Sequence, residues 1–447
     1  MTKSQGSERV HGWGRFPVVE THVERPRTLS TLTRSVDAAD SMIVRGNGRS
    51  YGDASLHRDR VIETTRLDRM IAIDEASGQV IAEAGVLLSD LLDTFLDRGW
   101  FPPVTPGSKF VTLGGMVASD VHGKNHHGAG SFCDHVDWID LATGDGKVLR
   151  CSADQNSELF AATCGGMGLT GAILTVAFRM KPVETAMVRQ KTVRAPSLSH
   201  ALDIFERSHD WTYSVAWIDC LASGNKLGRS AIMLGEHARI DELPVERRKT
   251  PLRRPARKAK SVPFDFPSVA LSRPSVAAFN RLYYMAQRPG ERLVDIDPYF
   301  YPLDSIHDWN RIYGKRGFAQ FQCVLPLESS QEALETMLTL LSKRGQASFL
   351  AVLKRLGAES FGLLSFPRPG YTLALDFPAT AENLSVVNEL DAITADHGGR
   401  IYLAKDACAQ PQSLEAGYPR LDQFRKVREA HGLDKRTGSL LSERLAI

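Results

Sequence analysis

The segment "RGNGRSYGDAS" at 45–55 constrains the fold of this chain more than any other feature. It places three glycines, two arginines and a tyrosine directly after the short apolar run "MIV" at 42–44. Glycine lets the backbone approach a ligand closely and leaves its N–H groups unobstructed, so the segment predicts a turn that binds an anion. It lacks the GxxxxGK[ST] spacing of a P-loop, and it lacks GxGxxG followed by a Rossmann helix.

Two further glycine-rich segments occur within the first 175 residues. They are "TPGSKFVTLGGMVASDVHGKNHHGAGSF" at 105–132 and "CGGMGLTGAI" at 164–173. Tight turns would account for any one of the three segments but fit the set poorly. The three together predict backbone amides that converge on an anion and on a flat ring.

The composition is that of an ordinary globular protein. The chain has 447 residues, 43% of them hydrophobic and 24% charged, which predicts two or three domains and excludes a disordered or fibrous protein. The net charge of +3 gives no overall sign of a nucleic-acid or acidic partner. Six cysteines without CxxC spacing indicate buried thiols in a reducing compartment rather than disulfides or zinc ligands.

The N-terminal sequence "MTKSQGSERVHGWGRF" lacks the apolar region of a signal peptide. No apolar run in the chain reaches the length of about 18 residues that a transmembrane helix needs. We therefore expect a protein that is made in the cytoplasm and does not span a membrane.

The hydrophobic pattern changes near residue 183. Before it, 80–100 predicts a strand and then an amphipathic helix that ends at Gly99, and 171–183 predicts a strand closed by a proline. After it, strands such as "FAQFQCVLP" (318–326) and "YTLALDFP" (371–378) alternate with helical stretches such as 330–345. This pattern predicts an α+β layer whose sheet has one core face and one open face.

The segment "RRKTPLRRPARKAK" at 247–260 carries eight cations and no acid. One interpretation is a solvated, mobile loop, because like charges repel one another. Another is a surface that meets anionic lipid headgroups or a phosphate-bearing substrate. Nucleic-acid binding is disfavoured, since no aromatic residues are interleaved with the cations.

The glycine-rich segments, in their order, resemble those of the vanillyl-alcohol-oxidase-type flavoproteins. More closely, the chain resembles the decaprenylphosphoryl-β-D-ribose 2-oxidase family, from "GWGR" at 12–15 to "YPRLDQFRKVR" near the end. The resemblance implies an α+β, two-domain fold with a PCMH-type FAD-binding domain. That domain would comprise 1–183 and 400–447, with an antiparallel-sheet substrate domain at 184–399 inserted between them.

The resemblance also implies FAD as the cofactor. The implied FAD contacts are Val44, Arg45, Gly46, Asn47, Gly48, Arg49, Ser50, Tyr51, Gly52, Asp53, Ala54, Gly107, Thr112, Leu113, Gly114, Gly115, Ser119, Asp120, Val121, His122, Ile173 and Tyr402. Arg49 stands where many relatives have a histidine bonded covalently to the flavin. Arginine cannot form that bond, so the FAD is predicted to be noncovalent.

A bound flavin accepts a hydride from a carbinol carbon while a base removes the hydroxyl proton. The resemblance implies Lys405, Lys124, His122 and Tyr51 as catalytic candidates, with Lys405 favoured at the reacting hydroxyl. A lysine in a dry site can lose its charge and act as a base, or keep it and bind a phosphate. His122 could instead be a satisfied turn histidine. No metal is predicted, because the glycine-broken loop around His126 and His127 gives no ligand geometry.

The substrate side can be argued from the strand period. Gln320 and Gln322 must lie on one face of a strand, as must Thr372, Ala374 and Asp376. Two amides on an apolar strand suit the hydroxyls of a sugar, although an exposed polar sheet face is the alternative. The resemblance adds further positions to the pocket and marks two departures. The added positions are Lys354, Trp217 and Asp304, and the departures are Ala374 and Thr372, where mycobacterial members have cysteine and asparagine.

The activity implied by the resemblance is oxidation of the 2-hydroxyl of a polyprenylphosphoryl-β-D-ribose to the 2-keto sugar. This is the first half of an epimerisation that makes the arabinose donor for a cell-wall or surface glycan. The implied partners are a separate NAD(P)H-dependent short-chain ketoreductase and quinone or O2 as electron acceptor. The implied location is cytoplasmic or peripheral on the inner membrane, with no nucleic acid bound.

Two other functions stay open from the sequence. An alditol or aldonolactone oxidase would act on a free sugar and would not require the basic segment or Lys354. A flavin-binding scaffold without turnover would need none of the candidate side chains. Their joint presence argues against the scaffold.

Overall fold

The computed structural model describes residues 6–255, 260–346, 348 and 350–447. Its strands up to residue 182 are β1 (Glu8–His11), β2 (Val18–Glu24), β3 (Ile43–Arg45), β4 (Arg60–Glu63), β5 (Met70–Asp74), β6 (Gln79–Glu83), β7 (Trp100–Phe101), β8 (Val136–Ala142), β9 (Val148–Ser152), β10 (Ala172–Arg179) and β11 (Lys181–Pro182). The later strands are β12 (Met187–Ala195), β13 (Tyr213–Ile218), β14 (Ser230–His237), β15 (Lys260–Ser261), β16 (Gly290–Asp295), β17 (Ile306–His307), β18 (Phe318–Pro326), β19 (Ala351–Leu356), β20 (Gly370–Pro378) and β21 (Arg400–Ile401).

The α-helices of the described residues lie between these strands and after them. They are α1 (Leu29–Asp37), α2 (Leu88–Phe95), α3 (Leu113–Ala118), α4 (His126–Ala129), α5 (Ser157–Thr163), α6 (Leu198–Glu206), α7 (Val245–Arg248), α8 (Arg273–Ala286), α9 (Ile296–Phe300), α10 (Leu327–Arg344), α11 (Ala381–Asp396), α12 (Pro411–Gly417), α13 (Leu421–Ala430) and α14 (Leu440–Leu445).

Besides the two-stranded sheet of β7 and β11, the first 182 residues build two larger sheets. One is mixed, in the order β1-β2-β4-β3, with β4 parallel to both β2 and β3. The other is antiparallel, in the order β5-β6-β10-β8-β9. Because β3 ends at Arg45, it delivers the chain directly into the first glycine-rich segment.

The largest sheet is antiparallel, in the order β16-β12-β14-β13-β19-β20-β18-β21. Helices α10 and α11 pack on β18 and β20, near one edge of the sheet, where alternate residues such as Phe321, Cys323 and Leu373 are buried. The opposite face carries Gln322, Thr372 and Asp376, which are also buried. The prediction of one open face is therefore wrong, because that face forms a wall of an internal cavity.

The helix predictions are confirmed near their proposed ends. Helix α2 buries the predicted apolar face, and a short turn carries the chain to Gly99, which adopts φ +82°. Helix α10 begins at Leu327 and ends before Gly345, whose φ of +67° closes it. These glycines terminate the helices because they adopt the left-handed conformation without strain. All six cysteines are free thiols, and only Cys408 is not fully buried.

The C-terminal segment packs against the first glycine-rich segment. The N–H of Leu440 donates to the carbonyl of Leu56 at 2.8 Å. The Arg444 guanidinium binds Asp53 at 2.9 Å and Asp406 at 2.8 Å. The last helix thus braces the turn that follows β3.

The basic segment at 247–260 is described except for 256–259, so Arg257 and Lys258 lie outside the described residues. Arg247 forms an ion pair with Asp295 at 2.8 Å, and Arg254 pairs with Asp93. These contacts tether the described part of the segment and do not fit a wholly solvated loop. Within the described part of the chain, no helix combines the length and the apolar character needed to cross a membrane.

Candidate active site

A cavity of about 820 Å³ lies between the glycine-rich segments and the polar face of the largest sheet. A second cavity of about 520 Å³ shares Arg49, Gln320 and Lys405 with the first. The predicted site residues that line the first cavity are Val44, Gly46, Asn47, Gly48, Arg49, Ser50, Ala54, Gly107, Thr112, Gly115, Ser119, Val121, His122, Lys124, Trp217, Gln320, Gln322, Lys354, Thr372, Ala374, Tyr402 and Lys405. Tyr51 and Asp304 line the second.

The glycine wall, formed by 44–54, 105–124 and 167–168, lines the cavity with several glycines and with a few larger side chains. A Cβ on Gly46 would collide with Oγ1 of Thr112, which accepts a hydrogen bond from the N–H of Gly115 at 3.2 Å. Gly48 has φ +61°, and a Cβ there would meet the Arg45 guanidinium. Gly107 instead faces open space. The wall is therefore bare where a ligand would lie and closely packed behind.

Arg49 adds a cation to this wall. Its guanidinium lies 4.1 Å from the centre of the Trp13 ring, and its buried Nε has no hydrogen-bond partner in the described part of the chain. A bare backbone beside an unsatisfied cation fits the pyrophosphate of a dinucleotide. The residues present thus fit FAD, and none of them offers the histidine that a covalent flavin link at position 49 would need.

The remaining predicted FAD contacts lie behind the wall: Arg45, Gly52, Asp53, Leu113, Gly114, Asp120 and Ile173. Asp53 is bound by Arg444, and Asp120 accepts hydrogen bonds from the Cys133 N–H at 3.0 Å and from the Ser365 hydroxyl at 2.5 Å. These side chains are occupied by protein partners. The side chains of Asp53 and Asp120 therefore support the loops from behind the wall.

The sheet wall, formed by β18, β19 and β20, presents side chains to the same cavity. Register places Gln322 opposite Ala374, and Lys354 opposite Thr372. The Gln322 amide donates to the Thr372 hydroxyl at 3.2 Å and lies 3.1 Å from Nε2 of His122. The two walls therefore meet through one hydrogen bond, and Gln322 does not lie on an exposed sheet face.

His122 is buried between aromatic rings. Its ring centre lies 5.3 Å from that of Phe366 and 5.1 Å from that of Tyr402. Burial lowers the pKa of His122 well below its usual value, and the nearby Lys354 lowers it further. The imidazole is therefore neutral at neutral pH, and its role is to donate or accept a hydrogen bond.

Lys405 and Asp376 are both buried beside the second cavity, where the charge of each acts on the other. The Lys405 ammonium lies 3.6 Å from the centre of the Tyr51 ring. Burial lowers the pKa of Lys405, although the Asp376 charge opposes the shift, and burial raises the pKa of Asp376. Asp376 also accepts hydrogen bonds from the Gln320 amide and, at 3.4 Å, from the Tyr313 hydroxyl. Lys405 can thus exchange a proton near neutral pH.

Lys124 and Lys354 bring two more cations to the cavity. Burial lowers the pKa of Lys124 to about 7, with Lys354 contributing, and the Lys124 ammonium donates to the Tyr299 carbonyl. Burial lowers the pKa of Lys354 to about 8. Neither lysine forms an ion pair within the described residues. Their charge is therefore available to an anionic ligand.

Sequence reasoning identified part of this constellation. The strand period placed Asp376 on the face of Thr372 and Ala374, but its pairing with Lys405 was not predicted. Tyr299, on α9, and Trp13, in the turn after β1, were also missed, because they reach the site from distant parts of the chain and leave no local signal. Trp217 lines the cavity as predicted, whereas Asp304 lies beside the second cavity and accepts from the Lys109 N–H at 2.7 Å.

The chain is similar to known flavoproteins. A family described as an FAD binding domain matches residues 21–152. Decaprenylphosphoryl-beta-D-ribose oxidase of Mycolicibacterium smegmatis is 36% identical over 99% of this chain and 98% of its own length. An uncharacterised protein of Streptomyces coelicolor is 35% identical over 77% of this chain and 95% of its own. L-gulonolactone oxidase of Bos taurus is 30% identical but covers only 41% of this chain and 40% of its own.

Proposed function

Because the chain belongs to the decaprenylphosphoryl-β-D-ribose oxidase family, an FAD-dependent group of oxidoreductases, we propose that it oxidises a polyprenylphosphoryl-β-D-ribose. The 2-hydroxyl of the sugar becomes a ketone, and the FAD is held without a covalent bond. The observation that carries this proposal is the pair Lys124 and Lys354, which meet no acid among the described residues. A neutral free sugar would leave both cations unpaired in a buried site, whereas a sugar phosphate would pair them.

The roles of the side chains follow from their positions. When bound, FAD supplies the acceptor for the hydride of the carbinol carbon. Lys405, in its neutral form, takes the hydroxyl proton at Nζ, and the Asp376 carboxylate stabilises the ammonium that results. Gln320 and Gln322 hold the sugar hydroxyls, and Lys354 binds the phosphate.

Tyr51 and His122 orient these groups. The Tyr51 ring supports the Lys405 ammonium, and neutral His122 fixes the Gln322 amide. Thr372 and Ala374 shape the pocket between them. The hydroxyl of Thr372 accepts from Gln322 at 3.2 Å, so it sets the direction of that amide rather than leaving it free to rotate.

The domain division at 1–183, 184–399 and 400–447 belongs to the same proposal. It is supported by the largest sheet, whose strands all come from residues 187–401. It is also supported by α14, which packs on the segment after β3. The edge strand β21 belongs to the substrate sheet, so the return to the FAD-binding part would begin near Tyr402.

The wider reaction is also proposed. The 2-keto sugar would pass to a separate NAD(P)H-dependent short-chain ketoreductase, so that oxidation and reduction invert one carbon. Quinone or O2 would reoxidise the flavin. A polyprenyl substrate resides in lipid, so the protein would act in peripheral contact with a membrane.

Anaerobic bleaching of the flavin absorbance tests the proposed function. Bleaching is expected with polyprenylphosphoryl-ribose and not with free ribose or ribitol, since only the first supplies an anion for Lys354. Bleaching by the free sugars alone would favour an alditol or aldonolactone oxidase, and bleaching by none of them would favour a scaffold. Acid precipitation should leave all flavin in the supernatant, and flavin in the pellet would contradict a noncovalent cofactor.

A further inference from the structure

Exposed apolar side chains concentrate in one part of the surface. Of the twelve large apolar side chains that are exposed among the described residues, five fall within 264–285. They are Phe264, Val269, Phe279, Leu282 and Met285. Leu282 is 66% exposed and Met285 61%, which is unusual for residues three apart on one face of a helix.

A row of aromatic rings connects this surface to the cavity. Trp217, which is buried, lies 4.8 Å from the ring centre of Tyr283 on α8. Tyr283 stacks on Phe279 at 5.7 Å, and Phe279 is 43% exposed. All three rings line the cavity, together with Lys354. The apolar surface is therefore continuous from the exposed face of α8 to the cation proposed to bind a phosphate.

The charge of the same helix has one sign. Residues 273–289 include Arg273, Arg281 and Arg288 and no acidic residue. All three arginines are exposed. Exposed apolar side chains flanked by cations are the pattern of a helix that lies in the interface of an anionic membrane.

We propose that α8 is a lipid-docking helix, which inserts Leu282 and Met285 into an anionic bilayer and places the row Phe279, Tyr283 and Trp217 at its surface. The prenyl tail of a substrate would then run along this row, and its phosphate sugar would reach the cavity without crossing water. This inference rests on the proposed function for the identity of the tail. It assigns the membrane contact to α8 rather than to the basic segment at 247–260.

Vesicle binding of the flavin-loaded protein tests the helix directly. Vesicles of phosphatidylglycerol and phosphatidylcholine in equal parts should bind the protein, and vesicles of phosphatidylcholine alone should bind it more weakly. The double variant Leu282→Asp/Met285→Asp should lower the bound fraction by about tenfold or more, because two charges replace inserted apolar groups. Unchanged binding of this variant would overturn the proposal.

A matched control separates docking from general surface charge. Ile71 and Val148 are 53% and 48% exposed and lie on β5 and β9, in the other antiparallel sheet. Ile71→Asp/Val148→Asp should bind vesicles as the unaltered protein does. An equal loss in this control would overturn the assignment to α8.

Turnover separates this inference from the proposed function. Leu282→Asp/Met285→Asp should oxidise a short-chain, water-soluble polyprenylphosphoryl-ribose at the unaltered rate and a vesicle-embedded one about tenfold more slowly. If the unaltered protein oxidises neither substrate, the proposed function fails while the vesicle-binding comparison still decides the role of α8. Loss of ketoreductase binding with vesicle binding intact would show a protein-docking helix and overturn the inference.

Discussion

The two walls of the cavity use different parts of the chain to face a ligand. The glycine wall offers backbone, and the side chains behind it, such as Asp53 and Asp120, are bound by other protein groups. The sheet wall offers side chains, among them Gln320, Gln322 and Lys354. A change in the glycine wall should therefore alter cofactor retention and stability, whereas a change in the sheet wall should leave a yellow, folded protein that turns over poorly.

Lys405 lies after β21 and interacts electrostatically with Asp376 of the sheet wall, so Lys405→Met should show the sheet-wall behaviour most strongly. Loss of a general base lowers the turnover number by about 10³-fold, while the flavin spectrum should persist. Stopped-flow measurement of anaerobic flavin reduction checks this. Lys435→Ala is the control, because Lys435 is exposed and lines neither cavity. Reduction at the unaltered rate would remove Lys405 from the mechanism.

Gly46→Ala should show the glycine-wall behaviour. The added methyl group meets Oγ1 of Thr112, and overpacking of this kind costs about 1–3 kcal/mol, which corresponds to roughly 5–150-fold weaker FAD retention. Flavin content after gel filtration measures it. Gly128→Ala is the control, since a Cβ at Gly128 meets nothing within 4 Å. Full flavin content in Gly46→Ala would show that Thr112 can move aside and that this packing does not control FAD retention.

Lys354→Met should separate binding from stability. Loss of a charged hydrogen bond to the phosphate costs about 1.5–3 kcal/mol, so KM should rise roughly 10–100-fold with a smaller change in the turnover number. The free energy of unfolding at pH 7 should rise by up to about 3 kcal/mol, because a buried cation is removed. Steady-state kinetics and denaturant unfolding measure the two effects. A variant that is less stable and has an unchanged KM would contradict both roles.

The stability gain of Lys354→Met should depend on pH in a defined direction. The pKa of Lys354 in the folded protein, about 8, lies below the ordinary value of 10.5. Between pH 8 and pH 10.5 the unfolded chain therefore binds more protons than the folded one. The penalty of the native lysine is therefore complete below pH 8 and disappears as the pH rises to about 10.5. Equal gains at pH 7 and above pH 10.5 would show that packing, rather than charge, accounts for the effect.

The pH profile should give the smallest and most specific effect. Lys405 must be neutral to act as a base, so kcat/KM should rise with pH through its lowered pKa. Lys354 must be charged to bind phosphate, so kcat/KM should fall above about pH 8. Lys354→Arg keeps its charge at high pH and should lose the alkaline fall. A fall that survives this substitution would belong to another group.

Much of the fold could be predicted because the sequence patterns that indicate it are local. The apolar face of α2, the glycine ends of α2 and α10, and the strand pattern of β18 and β20 all lie within short stretches of sequence. The open sheet face was predicted wrongly for the same reason. Alternation along a strand shows that two faces differ, but it does not show whether water or another part of the chain covers the polar one.

The candidate site shows the same division. From their types and spacing, the glycine-rich segments could be assigned to an anion and a flat ring, and the two glutamines to a sugar. The resemblance to a known family identified the ring as a flavin. The pairing of Lys405 with Asp376, and the contact of His122 with Gln322, join residues 29 and 200 positions apart. The periodicity of a sequence cannot show contacts between residues so far apart in the chain. The shifts in pKa follow from burial, which only folding creates.

The sequence by itself predicted bare loops around an anion and a flat ring, because the conformational freedom of glycine belongs to the residue wherever it lies. Its resemblance to a known family identified the ligand as FAD. It also determined, through Arg49, that the covalent histidine link has no counterpart at this position. The tertiary structure decided which cations share one buried cavity and which are paired on the surface. Charge acquires its function from its surroundings, and those surroundings are made by contacts between distant segments.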